Sequence, residues 1–225
     1  MSYASAAMLE PLSVALHALR TSPISVGTPV AVFGAGPIGL LTMATARASG
    51  AYPIVITDVD QTRLDFAKAF DPQCITHQVK GTPEETGAQI RHLFGQEESI
   101  MPSLVLECTG VEASIITAGF TVKRGGTINV VGVSPKMSIN NVPFMKLSLA
   151  EVKLLFINRY SDTWPAAIRA VQGGLIEGEK LESMVSHVFK LGDAVQALEL
   201  VGGKNRDGVI KVQIVDEETT TGIIV

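Results

Sequence analysis

Short apolar runs alternate with longer mixed stretches through the first three quarters of the chain. Five of these runs are rich in branched residues and flanked by Gly, Pro or Asp: Val30–Phe33, Ile54–Thr57, Leu104–Glu107, Thr127–Val131 and Lys153–Ile157. Runs of this kind are typical of central strands that a parallel sheet buries on both faces. A weaker run at Cys74–Thr76 raises the expected number of strands to six. The alternation predicts an α/β fold with helical crossovers.

The same pattern divides the chain into four segments. Residues 1–21 are predicted to form a linking helix, and residues 22–173 a doubly wound, parallel six-stranded Rossmann sheet with strand order 3-2-1-4-5-6. Residues 174–215 predict a small strand–helix–strand lobe, with strands at Val185–Phe189 and Val209–Val215 and a helix at 193–201. Residues 216–225 form a tail.

Composition excludes several classes of protein. Hydrophobic residues make up 46% of the 225 residues and charged residues 18%, which indicates a globular chain. The net charge of −4 does not favour binding to nucleic acid. No apolar run reaches the roughly 18 residues of a membrane span, and no secretory signal is evident, so we expect a cytoplasmic protein. Neither cysteine and none of the four histidines has metal-ligand spacing, so the residues themselves predict no metal site.

The run Gly34-Ala35-Gly36-Pro37-Ile38-Gly39 follows the first strand directly and opens a helix. In a dinucleotide site the first glycine allows a tight turn, the second lets the backbone approach a diphosphate, and the third lets helix and strand pack closely. The helix N-terminus would offer its N–H groups to the anion. Glycines also cluster in ordinary strand-to-helix turns, so that interpretation remains open for the run alone.

Asp58 strengthens the prediction of a cofactor site because it ends the second strand 19 positions after Gly39. An acidic side chain there can accept hydrogen bonds from the adenosine ribose and repels a 2′-phosphate, which favours NAD over NADP. Arg63, in the following helix, weakens that preference. Asp60 is the better N-cap for this helix, which leaves Asp58 for a ligand.

Two further turns lie at the carboxyl edge of the predicted sheet, where open α/β sheets bind ligands. Glu107-Cys108-Thr109-Gly110 ends the fourth strand, and Val131-Gly132-Val133 ends the fifth. We expect Cys108, Thr109, Gly110, Val131 and Gly132 to line the nicotinamide half of the site. Ordinary turn chemistry is the alternative explanation for both runs.

Several motifs together resemble the C-terminal, cofactor-binding part of zinc-dependent medium-chain dehydrogenases/reductases of the sorbitol, xylitol and L-arabinitol dehydrogenase group. The motifs are Leu9-Glu10-Pro11-Leu12-Ser13-Val14 with His17-Ala18, the Gly34–Gly39 turn, Thr57-Asp58, Glu107-Cys108-Thr109-Gly110, Arg159-Tyr160 and Thr163-Trp164-Pro165. The resemblance implies NAD-linked oxidation of a polyol to a ketose, with zinc polarising the substrate oxygen. It also implies that Glu10 lies at or beside the catalytic zinc, and that Arg159 and Tyr160 belong to the substrate pocket. A helix-start acid and a strand-end ion pair are the alternative roles.

The N-terminal catalytic domain of this group, with its zinc ligands and proton relay, is expected to be missing here. We therefore expect no zinc, and NAD binding with oxidoreductase activity reduced by several orders of magnitude. A Rossmann pseudoenzyme, or a cleft adapted to a non-redox isomerisation or cyclisation of a small molecule, is the alternative. The two C-terminal strands would have unpaired apolar edges, which predicts a homodimer or a rearranged lobe.

Overall fold

Six parallel strands form the central sheet of the computed structural model, which describes residues 1–203 and 208–216. The strands are β1 Val30–Phe33, β2 Ile54–Asp58, β3 Ile75–Gln78, β4 Leu104–Glu107, β5 Thr127–Val130 and β6 Lys153–Phe156. Their order across the sheet is β3-β2-β1-β4-β5-β6, and every neighbouring pair is parallel. The predicted doubly wound sheet and its strand order are confirmed.

Ten α-helices lie in the described residues. They are α1 Tyr3–Ala6, α2 Leu9–Thr21, α3 Pro37–Ala48, α4 Gln61–Phe70, α5 Pro83–Phe94, α6 Glu112–Thr121, α7 Phe144–Leu149, α8 Trp164–Gln172, α9 Gly178–Ser183 and α10 Ala194–Gly202. Short 3-10 turns occur at Glu98–Ile100 and Leu191–Asp193. None of the helices in the described ranges combines the length and the apolarity that a membrane span requires.

Two helix starts follow directly from their sequences. Thr82 and Glu85 form a capping box at α5, in which the Glu85 N–H donates to Thr82 Oγ1 (3.3 Å) and the Thr82 N–H donates to Glu85 Oε2 (2.9 Å). At α4 the Thr62 N–H donates to the Asp60 side chain at 2.8 Å, as the sequence predicts. This cap sets the direction of the chain as it leaves the site at the end of β2.

The sheet is covered on both faces, and the alternation of side chains along each strand divides the core. In β1, Val30 and Val32 belong to one buried cluster, and Ala31 and Phe33 belong to the other. Helices α2, α3 and α8 contribute to the first cluster, and α5 and α6 contribute to the second. Burial on both faces explains why the strands are continuous apolar runs and not alternating ones.

Helix α2 is docked on the sheet through a buried asparagine. The Asn129 amide in β5 donates to the Ala18 carbonyl (3.1 Å) and to the hydroxyls of Thr21 and Ser22 (3.0 Å each). Leu12 of the same helix is fully buried against the core. The predicted linking helix is thus attached to the dinucleotide-type sheet by both polar and apolar contacts.

The C-terminal lobe contains the predicted strand–helix–strand arrangement. Strands β7 Val185–Lys190 and β8 Lys211–Val215 form a separate parallel pair, with α10 between them in the chain. Strand β8 begins at Lys211 and not at Val209 as expected, and Gln213 in it donates to the Ala4 carbonyl at 2.9 Å. Of the predicted tail, residues 217–225 lie outside the described residues.

We predict that Asn129→Ala lowers the free energy of unfolding by about 1–3 kcal/mol, because the change removes the buried amide whose hydrogen bonds hold the C-terminal end of α2 on β5. Urea denaturation followed by circular dichroism measures the loss. Asn140→Ala, at an exposed position, is the control and should leave the unfolding midpoint unchanged. Equal midpoints for the two variants would show that the Asn129 hydrogen bonds do not stabilise the docked helix.

Candidate functional site

A cavity of about 490 Å³ opens at the carboxyl ends of β1, β2 and β4. Six residues predicted from the sequence to hold a cofactor line it: Gly34, Gly36, Asp58, Arg63, Cys108 and Thr109. The six others are not among its lining residues: Pro37, Ile38, Gly39, Gly110, Val131 and Gly132. The sheet therefore brings the turns after three different strands to one concave site.

The three glycines of the first turn have different surroundings. Gly34 has a φ of +96°, and a Cβ on Gly39 would lie 1.7 Å from the Gly34 carbonyl oxygen, so the chain itself requires both glycines. A Cβ on Gly36 would have its nearest neighbour, Nη1 of Arg63, at 3.8 Å. The ordinary-turn interpretation accounts for Gly34 and Gly39 but leaves Gly36 unexplained. The space beside Gly36 suits a ligand.

Helix α3 points its N-terminus at this space. Gly36 is the N-cap, Pro37 follows, and no side chain caps the first turn. The first N–H groups of a helix have no partner within the helix, and together with the helix dipole they favour an anion. This end of the cavity therefore has the electrostatic character of a phosphate site.

The carboxylate of Asp58 connects two loops of the site. It is 9% exposed, and its Oδ2 accepts the Ala35 N–H at 2.8 Å while its Oδ1 accepts the Asp60 N–H at 3.0 Å. As expected, Asp58 does not cap α4. Its carboxylate nevertheless has two backbone partners. Each carboxylate oxygen retains a lone pair for a further donor, so the same group can still bind a ribose hydroxyl.

Arg63 supplies positive charge at the phosphate end of the cavity. Its Nε lies 3.9 Å from Asp60 Oδ2 and is buried without a hydrogen-bond partner among the described residues. The guanidinium atom nearest the space at Gly36 is Nη1, 3.8 Å from a Cβ placed there. Through this nitrogen the arginine can donate to an anion bound beside Gly36.

Glu107, at the end of β4, is fully buried and organises the turn that follows. Its Oε1 accepts from the Thr109 N–H (2.9 Å), the Thr109 hydroxyl and the Ser114 hydroxyl (2.8 Å), and its Oε2 accepts from the Gly110 N–H (2.9 Å). With four donors from the chain itself, this carboxylate is saturated. It positions the cavity wall and does not contact the cavity.

Gly110 and Gly132 are explained by contact between the turns that follow β4 and β5. A Cβ on Gly110 would lie 2.3 Å from the Val133 carbonyl oxygen, and one on Gly132 would lie 2.1 Å from the Gly110 nitrogen. Val131 beside them is buried. Turn chemistry therefore accounts for these residues, and their contact with a nicotinamide stays a prediction.

Both cysteines are protonated thiols at neutral pH. Burial and the Asp71 carboxylate raise the pKa of Cys74 to about 11. Burial and the neighbouring Glu107 carboxylate raise the pKa of Cys108, whose Sγ lies 3.8 Å from Thr42 Oγ1. Because the thiolate is the reactive form, Cys108 forms part of the cavity wall and is not a nucleophile.

The three residues to which the resemblance assigns catalytic roles lie elsewhere. Glu10 is exposed in the first turn of α2, and Arg159 is exposed with a φ of +58°. Tyr160 packs edge-on against Trp164, with ring centroids 6.3 Å apart. None of the three lines the cavity, and no ion pair of Arg159 is found within the described ranges. Their catalytic roles stay predictions.

Sequence reasoning missed the far wall of the cavity. Thr86 of α5 and Ser114 and Thr117 of α6 line it, together with apolar side chains such as Val79 and Val111. No sequence motif marks these residues, because hydroxyl and small apolar side chains near helix starts are common in proteins of every class. Only the packing of α5 beside α6 brings them to one place.

Comparison with known proteins identifies the family. A model of the zinc-binding dehydrogenase family matches residues 37–173. The chain belongs to this family. It is 50% identical to L-arabinitol 4-dehydrogenase of Aureobasidium melanogenum over 95% of this chain and 56% of that protein, and 34% identical to mouse sorbitol dehydrogenase over 88% and 53%. The chain thus spans about half the length of the curated relatives it matches.

Solved structures of the zinc-binding dehydrogenase family have the same fold. Bacillus subtilis 2R,3R-butanediol dehydrogenase superposes with a TM-score of 0.81 at 25% identity, covering 95% of this chain and 58% of that one. A Sinorhizobium meliloti zinc-binding dehydrogenase bound to NADP superposes with a TM-score of 0.79 at 25% identity, covering 94% and 59%. The family resemblance inferred from the motifs is confirmed.

The zinc of this dehydrogenase family does not fit the residues described. Across 1–203 and 208–216, no three His, Cys, Asp or Glu side chains come together in a group that could hold a metal ion. Glu10 is a single exposed carboxylate, whereas a catalytic zinc takes three protein ligands.

We predict that Gly39→Ala lowers the free energy of unfolding by about 3 kcal/mol or more, because its Cβ collides with the Gly34 backbone. In Gly36→Ala the new methyl group enters open space, so the free energy of unfolding should fall by about 1 kcal/mol or less. The same methyl group would occupy the space expected for the diphosphate. Urea denaturation and calorimetric titration with NAD separate the two effects. If Gly36→Ala bound NAD like the unaltered chain, the open space would not be a ligand site.

Proposed function

We propose that this chain binds NAD in the cavity at the ends of β1, β2 and β4, as the cofactor-binding half of a polyol dehydrogenase. The observation that carries the proposal is the open space at Gly36. It lies between the N-terminus of α3, which no side chain caps, and Nη1 of the Arg63 guanidinium. Both groups can donate to an anion.

The dinucleotide would be held from its diphosphate outward. The first N–H groups of α3 and the Arg63 guanidinium would donate to diphosphate oxygens, and the remaining lone pairs of Asp58 would accept from the adenosine ribose. The backbone bonds to Asp58 hold its carboxylate in place before the ligand arrives, so little ordering remains to be done on binding. When bound, the nicotinamide ring supplies the acceptor for a hydride from carbon.

NAD rather than NADP is the proposed cofactor because of the charge at the end of β2. A 2′-phosphate on the adenosine ribose would lie beside the buried Asp58 carboxylate, and like charges in contact are strongly unfavourable. Arg63 offsets part of this repulsion, since its guanidinium lies in the same cavity. The preference is therefore for NAD, with Asp58 as its main cause.

A polyol is the proposed substrate class because several curated relatives are dehydrogenases named for polyols. L-Arabinitol 4-dehydrogenases of several fungi are 44–50% identical to this chain, and sorbitol dehydrogenases of mouse and chicken are 34% and 36% identical. Arg159 and Tyr160 remain the candidates for substrate contact, and Glu10 for a position near the metal. We retain these roles as part of the proposal.

Cofactor preference tests the role of Asp58. We expect calorimetric titration to show NAD binding about tenfold or more tighter than NADP, and Asp58→Asn to remove most of that difference by removing the negative charge. Asp65→Asn, which removes an exposed charge on α4, the helix that follows Asp58, should leave the preference unchanged. If the unaltered chain bound neither dinucleotide, the proposed function would be wrong.

Turnover tests the polyol part of the proposal. Because the described residues offer no site for three zinc ligands, we expect the 225-residue chain with NAD to oxidise L-arabinitol, xylitol and sorbitol at least a hundredfold more slowly than a complete family member. Absorbance of NADH at saturating polyol measures the rate. Turnover equal to that of the complete enzyme would show that the described residues suffice for the chemistry.

We also propose that the chain forms a homodimer. Strand β6 is an edge of the six-stranded sheet with Phe156 70% exposed, and β7 and β8 pair only with each other among the described strands. Unpaired apolar edges are normally covered in folded proteins. Light scattering at micromolar concentration should give twice the chain mass of 23.8 kDa, and a uniform population at the single-chain mass would contradict the proposal.

A further inference from the structure

Three hydroxyl groups at the far wall of the cavity have their hydrogens committed to the chain. Thr86 Oγ1 donates to the Lys80 carbonyl (3.2 Å), Thr117 Oγ1 donates to the Ala113 carbonyl (2.7 Å), and Ser114 Oγ donates to the Glu107 carboxylate (2.8 Å). Carbonyl and carboxylate oxygens can only accept here, and a hydroxyl has a single hydrogen. Thr86 is fully buried, so Ser114 and Thr117 are the two of these residues that a ligand can meet, and their hydroxyls offer it only lone pairs.

The other hydroxyls of the cavity do not alter this pattern at the far wall. Thr109 donates to Glu107 and accepts the Val111 N–H at 2.9 Å, so it is already used in both directions. Thr57 belongs to β2, next to Asp58 at the sugar side of the cavity. The hydroxyl groups of the far wall, between α5 and α6, thus act only as hydrogen-bond acceptors toward a ligand.

Apolar side chains surround these acceptors. Val79, Pro83, Val111 and Ala113 line the same part of the cavity. A space with apolar walls and a few polar atoms at its end suits a flat heteroaromatic ring, whose faces are apolar and whose edge carries hydrogen-bonding groups. In the proposed mode of binding, with the ribose at Asp58 and the diphosphate at Gly36, the base of the dinucleotide would reach this wall.

We propose that the far wall selects a purine that carries an amino group at C6 over one that carries an oxygen there, and that Ser114 and Thr117 are the selecting residues. The inference rests on the proposed binding of NAD in this cavity. An amino group donates to the committed hydroxyls. A 6-oxo group would place an acceptor against acceptors, and a hydroxyl could turn toward it only by breaking its bond to Lys80, Ala113 or Glu107.

Calorimetric titration with NAD and with nicotinamide hypoxanthine dinucleotide tests the proposal, because the two ligands share the sugar, diphosphate and nicotinamide parts. We expect NAD to bind about tenfold more tightly than the hypoxanthine analogue, because one well-placed hydrogen bond changes the dissociation constant by about that factor. Tight and equal binding of both would overturn the inference while leaving the proposed function intact. Binding of neither would overturn both.

Matched variants assign the selection to the hydroxyls. Thr117→Val and Ser114→Ala each remove one acceptor and should reduce the preference for NAD over its hypoxanthine analogue about threefold or more. Thr121→Val is the control: Thr121 Oγ1 donates to the Thr117 carbonyl at 2.8 Å, the same kind of bond in the same helix, but Thr121 is not among the cavity-lining residues.

Thermal unfolding of the three variants establishes that each is folded at the temperature of titration. Thr121→Val loses the same kind of helix hydrogen bond as Thr117→Val but removes no group from the cavity lining. Its preference for NAD over the hypoxanthine analogue should therefore equal that of the unaltered chain. A full preference retained by both Thr117→Val and Ser114→Ala would show that the hydroxyls do not select the base, and would overturn their assignment.

Discussion

The contact between the Gly39 Cα and the Gly34 carbonyl is the constraint on which the site depends. No side chain of any size fits at Gly39, because a Cβ would lie 1.7 Å from that oxygen. The contact lets α3 begin immediately after β1 and run against it, so the helix N-terminus faces the cavity. A looser approach would move the N–H groups of the first turn away from the space at Gly36. The anion site is thus a consequence of backbone packing.

Two carboxylates at neighbouring strand ends show how the same residue type takes different roles. Glu107 is saturated by four donors of its own loop, so it shapes the wall and its charge is used within the chain. Asp58 accepts two backbone N–H groups and keeps capacity for more, so it both positions the glycine turn and can bind ligand. The number of donors that the fold supplies to each carboxylate decides which role it has.

The family relationship and the cavity support different parts of the proposed function. The proposed binding of a cofactor rests on charges and open space that belong to this chain. The proposal of a polyol substrate rests on relatives, and the chain spans about half of their length. Glu10, Arg159 and Tyr160, which carry the catalytic part of the resemblance, lie outside the cavity lining. Cofactor binding can therefore be tested on this chain without reference to substrate chemistry.

The local pattern of apolar residues was sufficient to predict much of the fold. Strands β1 and β4 have the bounds that their apolar runs predict, because burial on both faces requires an unbroken apolar run. Strand β3 lies at a sheet edge and is only half-buried, so its run was weak and its position, Ile75–Gln78, differed from the predicted Cys74–Thr76. The glycine turn and Asp58 could also be found, since their spacing is a property of the chain.

By itself the sequence determined the sheet, its order and the glycine turn that lines the cavity, because these depend on periodicity and on residues close together in the chain. Tertiary structure alone decided the far wall and the roles of the two carboxylates. Thr86 and Thr117 lie on different crossover helices, and only the packing of α5 against α6 brings them to one cavity. Hydrogen-bond partners of this kind are set by distance in space, which no local pattern records.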